Sequence, residues 1–438
     1  MHHATEGWDE GTVFFVHGSE VGLPEHEVIG ITNFHVIENS AQHVARVFSS
    51  TGGHYDCQII HVCPELDFAV LEIPHGVFTP GTVDCAIPEC GEAVVIPGFP
   101  LNTDSDSCQF SYGNVSAPIG DQWLQCSLSC NNGNSGGPLI VTSTLSICGI
   151  CTATPHGSEG ITLALPMLVV TQAIKKFGNS QCVLIHIPQL LSSVTPVTKS
   201  WSKLTKCGTS GLVVSNVCKN CPLRSLKQGD VIVDVNGHPA NEETGKICAA
   251  NFPWEVDLES ISAWVLFPVI CTLHVKRAGL DGLVAVTVDT SNLPLHPLRQ
   301  LYPLWEKIPV LSFCGAYCVP LCKNVIDAYE DYADSKELRA CWQQWDSRNT
   351  LSSQLVVVVF VEPHSHASEC GVKTLHLFKS ISGRPVSSTA EVAEALKPLR
   401  KTRSKTVEIE FFTQTVAVDL RAKSDHRTGS DLTPMILL

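Results

Sequence analysis

Gly133-Asn134-Ser135-Gly136-Gly137-Pro138 reads first as a tight turn. Its glycines allow backbone conformations that other residues resist, and they let N–H groups crowd close to a neighbouring carbonyl. A serine held in such a turn presents its hydroxyl outward. Upstream lie Thr32-Asn33-Phe34-His35-Val36-Ile37 and Leu66-Asp67-Phe68-Ala69-Val70-Leu71. In chain order these stretches supply a base, an orienting carboxylate and a nucleophile. Each residue alone has a plain structural reading: Ser135 in a turn, His35 in a core or on a surface, Asp67 at a turn or cap. The conjunction carries the argument. All three stand beside apolar, strand-like runs within one domain-length segment.

The chemistry needs these residue types together. Ser135 must lose a proton to attack a carbonyl, and a neutral His35 within reach can take it. An ionised Asp67 would fix the histidine tautomer and stabilise the imidazolium. The backbone N–H groups of Gly133 and Ser135 would hold the oxyanion. Gly-x-Ser-x-Gly also occurs in strand-to-helix elbows, where the histidine comes last in the chain. Here Pro138 and a strand-like run follow the serine, and the histidine comes first, so that arrangement is set aside.

Composition bounds the rest. At 438 residues the chain has room for two to four domains. Hydrophobic content of 44% and charged content of 16% describe a folded protein. A formal charge of −14 argues against a nucleic-acid partner, because phosphate contacts need clustered Lys and Arg. The apolar run Leu355 to Val361 is strand-sized, and no stretch has the length of a membrane helix. Residues 1–10 are acidic and lack an apolar core, so they read as neither a secretory signal nor a transit peptide. The expectation is a soluble cytoplasmic or nuclear protein that does not insert into membranes, with import into an organelle through another signal left open. Twenty cysteines suit a disulfide framework poorly without a signal, and most read as small core residues. Cys148 and Cys151, three apart on a strand, should face opposite ways, which suits a metal poorly. Cys218 with Cys221, and Cys314 with Cys318 and Cys322, lack a histidine pair. Neither metal nor cofactor is expected.

Residues 1–179 read as short strands broken by Gly, Pro and Asn: Val13–Val16, Val28–Thr32, Val44–Phe48, Phe68–Ile73, Ala93–Ile96 and Leu139–Thr142. A helix is predicted over Met167–Phe177. Many short strands with frequent turns suggest an all-β barrel or a pair of barrels. Residues 180–290 form a second, β-rich segment around Gly229-Asp230-Val231-Ile232 and the Asn236-Gly237 turn. Residues 291–307 look like a linker. A third segment, 308–421, begins with strand-like Val310–Cys318, and Asp327–Gln344 is helix-compatible. Strands follow at Leu355–Val361 and Leu375–Ile381. A helix Thr389–Lys397 comes next, with Ser388 and Glu391 spaced as a capping box. The hairpin Val407–Phe412 and Thr415–Leu420 closes the segment. Residues 422–438 read as a polar tail.

These motifs resemble the HtrA/DegP family of serine proteases. Thr32-Asn33-Phe34-His35-Val36 resembles its TN-x-HV, Asp67-Phe68-Ala69-Val70-Leu71 its D-(L/I)-A-(V/L)-L, and Gly133 to Pro138 matches GNSGGP. Gly160 to Pro166 resembles GIGFAIP. Gly229 to Ile232 with Asn236-Gly237 resembles the first PDZ module, and Gly383-Arg384-Pro385-Val386 with its helix resembles a second. The insertion near 323–350 is similar to that of plant-type Deg proteases. The likeness covers most of the chain.

The resemblance implies a mainly β protein: a chymotrypsin-like double β-barrel over 1–179, then two PDZ-like α+β domains, the second with a helical insertion. It implies ATP-independent endoproteolysis of unfolded or damaged proteins in quality control, with assembly from trimers. The rival is a catalytically silent peptide-binding scaffold on the same fold. Loops near Ser129–Asn132 and Thr154–Gly160 would switch the oxyanion hole, and the PDZ modules would take peptide ends by strand addition. Two departures stand out. Only ten residues precede Gly11, where the family has a segment that supports trimer contacts. Ile185 stands where the family's carboxylate-binding loop has glycine, so the first PDZ-like segment is expected to dock on neighbours rather than on free C-termini. By family position Cys130 would line the primary specificity pocket and favour aliphatic residues.

Overall fold

The computed structural model describes residues 10–40, 42–48, 53–100, 107–119, 123–153, 160–178, 183–187, 193–197, 211–216, 225–241, 243–248, 255–258, 260–290, 299–329, 335–346, 354–397 and 406–419. Cys218, Cys221, residues 154–159 and the tail 422–438 lie outside them. The chain divides into two compact units: one holds residues 1–217 and 222–294, the other residues 218–221 and 295–438.

Alternation of β-branched and aromatic residues with polar ones builds the first sheet of unit 1. Its strands are β1 (Phe14–His17), β2 (Val28–Thr32), β3 (Val44–Phe48), β4 (His54–Cys63) and β5 (Phe68–Glu72). They pair antiparallel in the order β1-β2-β5-β4-β3. β2 and β5 are the most apolar: Ile29, Ile31, Phe68, Ala69 and Val70 are fully buried. The next six strands are β6 (Ala93–Gly98), β7 (Gln109–Ile119), β8 (Trp123–Cys126), β9 (Pro138–Val141), β10 (Ser146–Ala153) and β11 (Thr162–Pro166). They close into a barrel in the order β10-β11-β8-β7-β6-β9. Closure removes exposed sheet edges. The sequence suggests two barrels; among the described residues one closes and the other is an open five-stranded sheet.

A bulge corrects the reading of Cys148 and Cys151. The β9–β10 register shifts between Ile147 and Gly149. The extra residue breaks the strict alternation of faces. Both thiols therefore enter the same barrel core, with Val94, Ile96, Leu124 and Leu139.

The helix Met167–Phe177 follows β11 directly and buries Val169, Val170, Ala173 and Ile174. Beyond it come β12 (Ser193–Val197), β13 (Gly211–Asn216), β14 (Val231–Val235), β15 (His238–Pro239), β16 (Ile247–Cys248), β17 (Glu255–Val256), β18 (Ile270–Lys276) and β19 (Leu283–Asp289). β12-β13-β14-β18-β19 form one antiparallel path, and the Asn236-Gly237 turn folds β15 back onto β14. The helix Ile261–Leu266 starts at Ser260, whose side chain caps the N–H of Ala263. Asp230 is 1% exposed and is held by both Nε and Nη2 of Arg277, at 2.8 and 2.7 Å.

Three connections bind this segment to the first sheet and to the helix Met167–Phe177. Val62 donates to Val183 O (2.8 Å) and accepts from Ile185 N (2.7 Å). His186 Nδ1 sits 3.0 Å from Glu65 Oε1. Lys176 Nζ, from the helix Met167–Phe177, donates to Trp264 O (2.6 Å) and Phe267 O (2.7 Å). Those two carbonyls end the helix Ile261–Leu266, where a cation is favoured.

Unit 2 begins its sheets with β20 (Leu311–Phe313), β21 (Ala316–Pro320) and β22 (Val356–Val361). The strand-like run Val310–Cys318 is in fact a hairpin, turned at Cys314 (φ 50°) and Gly315 (φ 84°). The helix-compatible stretch Asp327–Gln344 resolves into two helices, Lys323–Ala328 and Lys336–Asp346. A second sheet of β23 (Phe378–Ile381), β24 (Arg384–Pro385), β25 (Thr406–Phe411) and β26 (Thr415–Asp419) runs in the order β24-β23-β25-β26. The helix Thr389–Leu396 packs Val392 and Leu396 against Phe378, Ile409 and Phe411. Half of the expected capping box forms: Ser388 Oγ accepts from Glu391 N (3.2 Å), but the Glu391 carboxylate takes the N–H and hydroxyl of Ser387, at 2.7 and 2.9 Å.

Candidate active site

His35 and Asp67 come from the segments that follow β2 and precede β5. Those strands are hydrogen-bonded neighbours with Thr32 opposite Ala69, so the register alone brings the two residues together. Asp67 occupies the left-handed region (φ 56°), which turns its carboxylate back over the loop. Its Oδ1 accepts the backbone N–H of His35 (2.9 Å), and its Oδ2 lies 2.8 Å from His35 Nδ1. An ionised carboxylate only accepts, so Nδ1 carries the proton and Nε2 of the neutral ring is an acceptor. The Asp67 side chain is 22% exposed and that of His35 is 44% exposed. The carboxylate is sheltered while the imidazole stays reachable.

The Ser135 turn is fixed to the same corner through residues that the motif reading passed over. Thr12 donates its N–H to Ser135 O (2.8 Å) and its hydroxyl to Gly133 O (2.7 Å). Thr32 Oγ1 in turn donates to Thr12 O (2.8 Å). Asn33, fully buried, sends one side-chain N–H pair to Asp67 O (2.8 Å) and Thr152 Oγ1 (3.2 Å). Thr12, Thr32, Asn33 and Thr152 thereby join the serine turn, the histidine segment, the aspartate loop and β10. The local sign of this in the sequence is Thr32-Asn33 beside His35; nothing local marks Thr12 or Thr152.

Gly136 shows how close the approach is. At φ +84° it is in the left-handed region, and an added Cβ would stand 2.2 Å from Thr12 O and 2.3 Å from Thr32 Oγ1. Gly136 N donates to Cys151 O (2.9 Å), and Cys151 N donates to Gly137 O (2.8 Å). Asn134 N donates to Asn131 O (3.0 Å) and Gly137 N to Asn134 O (2.9 Å). With those groups committed, the N–H groups of Gly133 and Ser135 have no protein acceptor among the described residues. Ser135 itself is half-buried.

Residues 12–150 match the family description "Trypsin-like peptidase domain". The chain is similar to DegP-like serine endoproteases. The matched residues take in the whole five-stranded sheet and the barrel strands up to β10, leaving out β11. A probable periplasmic serine endoprotease DegP-like of Chlamydia trachomatis is 28% identical over 384 residues, covering 84% of this chain and 67% of that protein. The periplasmic serine endoprotease DegP of Escherichia coli K12 is 26% identical over 242 residues, covering 52% of this chain and 49% of that protein. Putative protease Do-like 3, mitochondrial, of Arabidopsis thaliana is 25% identical over 317 residues, covering 68% and 54%. The chain thus spans half to two thirds of these relatives' lengths. Among solved structures, the HtrA-type protease AlgW with decapeptide aligns at TM-score 0.45 and 23% identity over 64% of this chain and 81% of that one. The serine endoprotease from Yersinia pestis aligns at TM-score 0.41 and 23% identity over 60% and 84%.

These relatives correct the reading of location. They are named periplasmic, and one mitochondrial, which points to an exported or organelle-located protein rather than a cytoplasmic or nuclear one. The acidic residues 1–10 were weak ground for the opposite inference, since they test only for two kinds of address.

Cys130 is partly exposed beside the barrel core, five residues before Ser135. Its sulfur accepts from the Cys151 thiol at 3.3 Å. Ile185 is 1% exposed, and its N–H is taken by Val62 O.

Proposed function

We propose that this chain is an ATP-independent serine endopeptidase that cleaves unfolded or damaged proteins, with Ser135 as nucleophile, His35 as general base and acid, and Asp67 as orienter. The observation that carries the reading is the two-point grip of Asp67 on His35, with the Ser135 turn tied by Thr12 to Thr32. His35 Nε2 accepts the Ser135 proton as Oγ bonds to the scissile carbonyl carbon. The developing oxyanion receives the N–H groups of Gly133 and Ser135, which have no protein acceptor among the described residues. His35 then returns the proton to the leaving amine, and the peptide amine departs. Water repeats the sequence on the acyl-serine. Cys130 borders the pocket for the side chain before the cleaved bond and favours aliphatic residues there.

Residues 180–290 and 308–421 are read as PDZ-like modules serving this protease, in an assembly built from trimers. The burial of Ile185 and its pairing with Val62 support docking of the first module on the protease rather than on free C-termini.

The test is digestion of unfolded β-casein and labelling by a fluorophosphonate probe, wild type beside Ser135→Ala, both checked for folding by circular dichroism. Cleavage and labelling present in the wild type and absent from Ser135→Ala support the reading. A folded wild type that neither cleaves nor labels overturns it in favour of a silent scaffold.

A further inference from the structure

Cys130 and Cys151 present two thiols 3.3 Å apart at the edge of the serine turn. Cys151 lies on β10 and is buried, whereas Cys130 follows β8 and is partly exposed. Cys130 therefore lies nearer solvent than Cys151. We propose that Cys130 and Cys151 form a reversible disulfide, made by exchange with a low-molecular-weight disulfide such as oxidised glutathione, that switches the Ser135 site off. The chemical effect on activity rests on the serine-endopeptidase reading; formation of the bridge does not.

The direction of attack follows from the surroundings. The Cys151 thiol donates to Cys130 and so favours the Cys130 thiolate, holding its pKa below the ordinary cysteine value; the Asn134 side chain acts in the same direction. The same bond and burial push the Cys151 thiol well up. The thiolate is the nucleophile in exchange. Cys130 Sγ attacks one sulfur of oxidised glutathione, that S–S bond breaks, and one glutathione leaves as thiolate and takes a proton from water. Cys151 then loses its proton to water, its sulfur attacks Cys130 Sγ, and the second glutathione leaves as thiolate. The two protein sulfurs give up two electrons together, and one glutathione disulfide becomes two thiols.

The bridge would act on the machinery through backbone already described. A disulfide needs its sulfurs at about 2.05 Å, so the pair must close by more than an ångström from 3.3 Å. Cys151 is fixed by hydrogen bonds to both Gly136 and Gly137, and its neighbour Thr152 is held by Asn33. Cys130 lies in the loop after β8 rather than on a strand, and it leads into Asn131 and, three residues on, Gly133. Asn131 O anchors Asn134 N. Drawing Cys130 inward therefore pulls on the segment that carries the Gly133 N–H, and it narrows the pocket that Cys130 borders.

The experiment incubates the reduced full chain with oxidised glutathione, blocks remaining thiols, and maps disulfides by peptide mass spectrometry. In parallel it follows casein cleavage and fluorophosphonate labelling, before and after reduction with dithiothreitol. The expected result is a Cys130–Cys151 peptide pair, at least a tenfold slower labelling, and recovery on reduction. Cys151→Ala should trap glutathione on Cys130, and Cys130→Ala should leave Cys151 unmodified. A bridge from Cys130 to neighbouring Cys126, no bridge at either position, or a Cys130–Cys151 bridge with unchanged labelling each overturns the proposal. If the reduced protein does not label at all, the endopeptidase reading fails, and the mapped bridge is judged by itself.

Discussion

Asp67→Asn isolates the role of the orienting carboxylate. Asp67 accepts two N–H groups, the His35 backbone N–H at 2.9 Å and Nδ1 at 2.8 Å. Asparagine offers one acceptor oxygen and one NH2 donor. If the oxygen keeps Nδ1–H, the NH2 faces the backbone N–H, two donors oppose each other, and the His35 N–H loses its acceptor. If the oxygen turns to the backbone N–H, the NH2 instead donates to Nδ1. The second arrangement leaves every group paired and so wins. Its consequence is a proton on Nε2, the wrong tautomer for accepting one from Ser135. In the general Ser-His-Asp template that exchange lowers kcat about 10⁴-fold, or about 5.5 kcal/mol of barrier. The fold should be spared, because the Asn33 bond goes to the Asp67 backbone oxygen. Active-site-titrated enzyme would be assayed on casein-derived peptides, with ¹⁵N resonances of His35 reporting the tautomer. A kcat within tenfold of wild type, with Nε2 protonated, would refute the reasoning.

Other perturbations test the supporting structure. Gly136→Ala combines a left-handed backbone with contacts at 2.2 and 2.3 Å; strain and overpacking of about 1–3 kcal/mol each should lower the melting temperature and abolish fluorophosphonate labelling. Thr12→Val keeps the shape but orphans Gly133 O and Phe99 N, 2.7 and 3.1 Å from the hydroxyl; denaturant titration should show a loss of about 1–3 kcal/mol. Arg277→Ala leaves the buried Asp230 carboxylate without its cation and with the Lys227 N–H still donating to it, and a cost of about 3–5 kcal/mol should shrink when Asp230 is also replaced by Asn. Burial lowers His376 to about 4; its Nδ1 accepts from Lys373 N at 3.1 Å. Between pH 6.5 and 4 the unfolded imidazole takes a proton that the folded one refuses, so stability of the second unit should fall as pH drops through that window. His376→Phe should flatten this slope in urea titrations at pH 7 and 5.

Periodicity located the elements whose patterns are local. Val28–Thr32, Val44–Phe48 and the helix Met167–Phe177 were legible to the residue, because each is a contiguous apolar or amphipathic run. His54–Cys63 and Gln109–Ile119 were not, because Asp56, Gln58 and Asn114 interrupt their apolar pattern where the strands meet solvent. The residues proposed for catalysis were visible as motifs. Their scaffold was not: Thr12 acts 121 and 123 positions away in sequence, on Gly133 and Ser135. The Cys130–Cys151 contact depends on barrel closure and on the register shift that disturbs β10, and neither is written in the spacing of the cysteines.

The pairing of Val62 with Val183 and Ile185 has a mechanical consequence. A strand edge already engaged by the chain's own backbone cannot also receive a guest there, so any peptide that contacts this edge must first peel residues 183–185 away. Peeling exposes the fully buried Val62 and Ile185 and strains the nearby His186–Glu65 pair. Because β4 is zipped to β5, and β5 begins at Phe68 beside Asp67, a guest displacing this segment would loosen the strand neighbouring the orienting carboxylate. Occupancy beside β4 would then be felt at the start of β5, one residue from the carboxylate that grips His35.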